Sequence, residues 1–207
     1  MPAARLVLAI LALAVSLEAA DVRGRVVDAD GRPVADAFVF APDLPPPAAP
    51  PDAVMDQIGK EFVPHVLAVP AGSLVRFPNR DDLHHHVYSF SRAKTFELPL
   101  YKGEEAPPVR FETPGVVKLG CNIHDWMSAV ILVVPSAHVA RTDGDGRFVL
   151  GDLPAGEHRL VAWHERSETA VDDTTRSVAA GGADAEFRLA LRPAGARVPV
   201  MGARGIP

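Results

Sequence analysis

Cysteine occurs once in the 207 residues, as Cys121, so the chain can close no internal disulfide. Runs of basic residues are missing too: 21 Lys and Arg are scattered among 26 acidic residues, for a net charge of −5. With no patch to neutralise phosphates, nucleic acid is excluded as a partner. The longest apolar run, Leu6 to Leu17, is about a dozen residues, short of the ~20 that a bilayer span takes. Aromatic residues make up 6% of the chain and apolar residues 48%, a balance that suits one or two small soluble domains. Helical periodicity is weak beyond the first twenty residues, which argues against an α-helical fold.

Residues 1–20 carry one positive charge at Arg5, the apolar run, and small residues at Ala19-Ala20. This is the pattern of a signal peptide, with cleavage after Ala19 or Ala20 or an uncleaved tether as the alternative, and it points to a periplasmic or otherwise exported protein with no stable span after removal. A lone thiol in an oxidising compartment is a liability unless it is buried or occupied, and metal ligation would occupy it.

Short apolar, β-prone runs recur between Gly, Pro and Asp punctuation: Val22–Val27, Ala37–Phe40, Val66–Val69, Leu74–Phe77, Val116–Leu119, Ala129–Val134, Arg147–Leu150, Arg159–Trp163 and Ala185–Leu191. Their spacing predicts an all-β chain of sandwich or barrel type. Asp28-Ala29-Asp30-Gly31-Arg32 is almost repeated as Asp143-Gly144-Asp145-Gly146-Arg147, and both read as hairpin tips. A calcium loop is disfavoured, because the later Glu of that pattern is missing. The segment after Pro193 lacks periodicity and reads as a loose tail, 194–207.

Cys121-Asn122-Ile123-His124-Asp125-Trp126-Met127 spaces a thiol, an imidazole and a thioether three residues apart, and His84-His85-His86 supplies a further imidazole upstream. Two imidazoles, one thiolate and a weak axial thioether are the ligands of a type-1 copper site, which suits both oxidation states. A loop can present any of His84, His85 and His86, and the two that do not ligate read as solvent-exposed. His65, His138, His158 and His164 read as surface or turn residues, and Trp163 as packing in a sandwich core.

Two resemblances extend this reading. Val22-Arg23-Gly24-Arg25-Val26-Val27 with the following Asp-x-Asp-Gly turn, and Thr142–Phe148 with Leu153–Leu160, resemble the carboxypeptidase regulatory-like, transthyretin-like β-sandwich. Roughly ninety residues separate the two pieces, long enough for a domain of its own. The expected organisation is a split sandwich, 21–42 and 137–193, with 43–136 inserted; two consecutive domains are the alternative.

The intervening segment resembles the cupredoxins, especially the amicyanin and plastocyanin group, over about Met55 to Val134. Phe62-Val63-Pro64, Val69-Pro70-Ala71-Gly72, Val75–Asn79, the Gly115-to-Cys121 spacing and the short Cys-x-x-His-x-x-Met loop carry that resemblance. It implies a Greek-key β-sandwich holding one copper ion on His85, Cys121, His124 and Met127. Where that family commonly has an Asn bracing the two ligand loops, this chain has His86. Where it often has a Pro, this chain has Ile123, whose amide is expected to reach the Cys121 sulfur and raise the reduction potential.

The function implied is one-electron transport, with no enzyme activity, to or from a redox partner such as a c-type cytochrome or a periplasmic dehydrogenase. Copper binding and delivery, with the other sandwich as recognition module, is the second reading. A metal-free sandwich with Cys121 merely buried is the third.

Overall fold

A computed structural model describes residues 19–103, 106–168, 174–182 and 184–193; the signal-peptide reading and the tail 194–207 fall almost wholly outside them. No helix among the described residues is long and apolar enough to cross a membrane. The strands are β1 (Ala20–Asp28), β2 (Phe38–Phe40), β3 (Ala53–Val54), β4 (Asp56–Ile58), β5 (Glu61–Val63), β6 (Val66–Pro70), β7 (Ser73–Arg76), β8 (His85–Ser91) and β9 (Lys94–Tyr101). They continue as β10 (Val109–Phe111), β11 (Gly115–Gly120), β12 (Ser128–Val134), β13 (Val139–Arg141), β14 (Arg147–Leu153), β15 (Glu157–Trp163), β16 (Thr175–Ala179) and β17 (Ala185–Leu189). The fold is all-β, as the spacing of apolar runs predicts.

Strand pairing joins the two ends of the chain across the middle. β1 lies between β14 and β17, and β2 between β13 and β15, with β16 beyond. The middle strands make two sheets of their own, ordered β10-β7-β3 and β6-β12-β11-β8-β9, plus the β4-β5 ribbon. Ala41 and Ser136, where the chain leaves and rejoins the terminal sheets, are tied directly: Ser136 Oγ donates to Ala41 O at 2.6 Å, and Ala41 N–H to His138 O at 3.1 Å.

Side chains alternate so that three apolar layers separate four sheets. Val39, Leu160 and Ala162 face a cluster with Val26, Phe148 and Phe187, between the two terminal sheets. Ile131, Val133, Val117 and Val69 face a cluster with Val75, Phe77 and Phe111, between the two middle sheets. The third layer joins the pairs: Phe38, Phe40 and Val161 from one side meet Leu132 and Val134 from the other. Adjacent residues of β12 thus serve different cores, and its burial on both faces accounts for the unbroken apolar run Ala129–Val134. Trp163 packs in this joining layer, its ring 6.4 Å from Phe38, and not in the core of the terminal sheets.

The twin Asp-Gly motifs build the same local turn. Asp28 Oδ1 accepts the amides of Asp30 and Arg32, Asp143 Oδ1 those of Asp145 and Arg147, and Gly31 and Gly146 take φ of 82° and 72°, which only glycine adopts without strain. Their use differs from the expected pair of hairpin tips. The first reverses β1 onto a single bridge, Val27 to Pro33, whereas the second carries the chain from β13 in one sheet to β14 in another.

A polar contact also spans the joined layers. His65 Nε2 lies 2.9 Å from Glu165 Oε2, and His164 beside it is buried, against its expected exposure. The hydrogen bond to Glu165, opposed by burial, holds His65 above its ordinary 6.5, and the same bond holds Glu165 below its ordinary 4.5.

Two outcomes follow for stability. Phe40→Ala, emptying a fully buried ring site in the joining layer, is expected to lower the unfolding free energy by about 3–5 kcal/mol in urea titration; a loss under about 1 kcal/mol would show that layer to be loosely packed. The raised His65 contributes below 6.5 and loses its share as pH climbs through its folded value, while the lowered Glu165 contributes above 4.5 and loses its share as pH falls. The stability gap between wild type and Glu165→Gln should therefore be widest between pH 4.5 and 6.5 and shrink on both sides. A gap flat across the range would contradict the pairing.

Candidate metal centre

The β11–β12 ladder runs in register from Gly115↔Val133 to Gly120↔Ser128. Past its last rung, Cys121 N–H donates to Met127 O at 3.2 Å and Met127 N–H to His124 O at 2.9 Å, so the seven-residue loop is closed on itself. β8 meets β11 at one Cα pairing, Gly120↔Tyr88. A Cβ on residue 120 would stand 2.8 Å from the Tyr88 ring and hydroxyl, so a larger residue there would have to displace that ring. That close approach sets the start of β8 beside Cys121.

At that start the pleat sorts the three histidines. His85, Val87 and Ser89 point inward and are fully buried, while His84 is exposed. His86 points the other way, yet it is 8% exposed: its Nε2 is 2.8 Å from Glu97 Oε1 on β9. Its expected solvent exposure is thus replaced by a cross-strand pair. Between Val87↔Leu98 and His85↔Tyr101 the register slips, leaving an extra residue on β9 near Pro99. β9 is an edge strand, where a residue without an amide hydrogen is tolerated.

His85, Cys121 and His124 come together with their donor atoms all within 4.8 Å of one another. Cys121 Sγ is 3.9 Å from His85 Nδ1 and 3.8 Å from His124 Nδ1. A metal–nitrogen bond of ~2.1 Å and a metal–sulfur bond of ~2.3 Å together reach across such separations, so one ion could touch the sulfur and an imidazole nitrogen at once. Burial, with His85 and Lys60 adding to it, holds His124 below its ordinary 6.5, leaving the neutral imidazole that a ligand must be. Met127 is 2% exposed and shares the apolar cluster of Cys121.

The loop that carries His85 is braced by groups the sequence reading did not single out. Asp81 Oδ2 lies 2.8 Å from His85 Nε2, and the same carboxylate accepts the amides of Gly59 at 2.6 Å and Lys60 at 2.8 Å. Burial pushes the Asp81 carboxyl up, but the hydrogen bonds from His85, Lys60 and Gly59 outweigh it and hold the group below the usual carboxylate range. Asn79 donates to Leu83 O and Tyr101 O and accepts the Asp81 amide through Oδ1. The Asn79-Arg80-Asp81 turn chemistry was the available sequence signal. Gln57 and Tyr101 close the floor: Gln57 Nε2 and the Tyr101 hydroxyl both donate toward Phe77 O, and Tyr101 is pushed up to about 12, chiefly by burial.

His124 is the ligand candidate nearest solvent. Leu83, Leu100 and Ile123, each about half exposed, line a shallow depression with His84 and His124, and Trp126, 66% exposed, stands with its ring 5.3 Å from His124. The hydrogen-bond partners of Cys121 Sγ among the described residues are the two imidazole nitrogens, not the Ile123 amide, so the expected amide bond to sulfur has no geometric support.

No protein-family model matches this chain, and no curated protein does. Parts of it overlap with solved structures. A Cu-containing nitrite reductase from Thermus scotoductus SA-01 is 26% identical with a TM-score of 0.37 over 44% of this chain, which spans only 22% of that protein. An amicyanin mutant in its oxidized state is 24% identical with a TM-score of 0.37, over 40% of this chain and 81% of that one. A purple cupredoxin from Nitrosopumilus maritimus is 23% identical with a TM-score of 0.34, over 39% and 95%. By its donor chemistry, the cluster of His85, Cys121 and His124 can hold one copper ion.

Asn79→Ala should leave two carbonyls and one amide without their partner. The expected result is a loss of about 1–3 kcal/mol in unfolding free energy and faster amide exchange at Asp81; unchanged exchange would mean that the loop does not depend on Asn79.

Proposed function

We propose that this chain is an exported type-1 copper protein that carries one electron to or from a redox partner. The observation that supports the reading best is the spacing of one buried thiol from two imidazole Nδ1 atoms, 3.8 and 3.9 Å. His85, Cys121, His124 and Met127 would hold the ion. Copper supplies a one-electron change for which a trigonal soft-donor set suits both states. The residues around it do the rest. Asp81 and Asn79 fix the His85 loop, the ladder fixes Cys121, and the apolar cluster around Cys121 excludes water from the thiol. Ile123, Trp126, Leu83 and Leu100 form the face through which a cytochrome or a periplasmic dehydrogenase would approach His124.

On this reading the chain is a carrier and not an enzyme. Residues 43–136 form the copper unit, and 21–42 with 137–193 form the sandwich that hosts it. The tie between Ala41 and Ser136 supports an insertion, since it brings the two ends of the segment side by side.

The test compares wild type with Cys121→Ser, both purified from copper-supplied cells. The expected outcome is about one copper per wild-type chain, an intense visible thiolate-to-copper band and fast electron self-exchange, with the band absent from the variant. Weak colour with rapid loss of copper to a chelator would mark a delivery protein instead, and absence of copper from both proteins would overturn the metal reading altogether.

A further inference from the structure

Asp81 is unusual among the acidic residues of this chain. Its side chain is 15% exposed, and its ionisable partner is His85: the adjacent Asp82, on the surface, has Lys102, and Asp56 has Arg80, but no Lys or Arg pairs with Asp81 among the described residues. A largely buried carboxylate without a cation is expensive to desolvate. Three N–H donors surround it, and two of them belong to a turn built for the purpose. Gly59 and Lys60 both adopt left-handed φ, 64° and 62°, so that their successive amides converge on the carboxylate. For Lys60, which has a side chain, that conformation is uncommon.

The third donor is His85 Nε2. Because a carboxylate only accepts, the ring must carry its proton on Nε2, which leaves Nδ1 with a free lone pair turned to Cys121. A carboxylate on the far nitrogen also strengthens the near nitrogen as a donor. We infer that Asp81 is the positioning residue of the centre: it sets the His85 tautomer before any metal arrives, and its negative charge favours the more highly charged, oxidised ion. The unpaired anion then has its countercharge in the loaded site. This rests on the copper reading of His85, Cys121 and His124, but its first half concerns the metal-free protein.

The experiment therefore has two arms. In the apoprotein, 15N NMR of the imidazoles should show His85 protonated at Nε2, with that proton exchanging far more slowly than the ring protons of exposed His84. In Asp81→Ala the two tautomers should mix. Loaded with copper, Asp81→Asn should keep the visible band while the ratio of Cu(II) to Cu(I) affinity falls about tenfold, a rise of about 59 mV in reduction potential. Asp81→Glu, which restores the charge, should recover part of the shift.

If Asp81→Asn and Asp81→Ala both stay within about twofold of the wild-type ratio, Asp81 only closes the Gly59-Lys60 turn and the electrostatic role is overturned. If the variants do not fold, the wild-type apoprotein decides: His85 protonated at Nδ1, or exchanging as freely as His84, refutes the positioning. A wild type without copper would defeat the functional reading and leave the NMR arm standing.

Discussion

The antiparallel ladder between β11 and β12, and its closure by the Cys121 amide on the Met127 carbonyl, is the constraint on which the rest of the site hangs. Six consecutive pairings leave the chain only seven residues in which to turn, and a turn that short has to present Cys121 and His124 on one side. Gly120 then admits the Tyr88 ring and so draws β8 alongside. That close approach, the β8–β9 ladder and the Asp81 contacts to Gly59 and Lys60 together bring His85 to the thiol.

The site combines two mechanical regimes. Cys121 and Met127 are packed into the apolar cluster between the middle sheets, so their freedom is limited by close packing. His85 is held by polar contacts, through Asp81 to the Gly59-Lys60 turn and through Asn79 to the strand edge. His124 belongs to neither and faces a rim of half-exposed apolar residues. Donor atoms held from two directions with one edge open is an arrangement that resists change in the metal's coordination while still allowing contact from outside.

Much of the architecture was legible in the sequence because β-prone apolar runs between turn residues state a strand directly. The nine runs each fall on a strand, with ends shifted by a few residues. β8 and β9 were not legible. The inward face of β8 reads His85, Val87, Ser89, so two of its three buried positions are polar, and β9 holds Pro99 where a central strand would not. β3, β4, β5 and β10 are two or three residues long, too short for any period to emerge. At the centre, the Cys-x-x-His-x-x-Met spacing made the loop conspicuous. Asp81 passed unnoticed because one carboxylate among 26 acidic residues carries no local mark; only the fold shows that no Lys or Arg among the described residues pairs with it. His86 and His164 were misjudged for a related reason, since the pairing that permits a polar ring to be buried comes from distant segments.

β12, in the sheet that carries the centre, is covered on both faces. Ile131 and Val133 turn toward one core while Leu132 and Val134, one residue along, turn toward Phe38 and Phe40 of the chain's ends. The copper segment is consequently not a module that can be lifted out at residues 43 and 136. Cut free, it would present a bare apolar wall on β12 and β6, a surface suited to self-association, so the outer sheets act as a permanent lining for the sheet that holds Cys121.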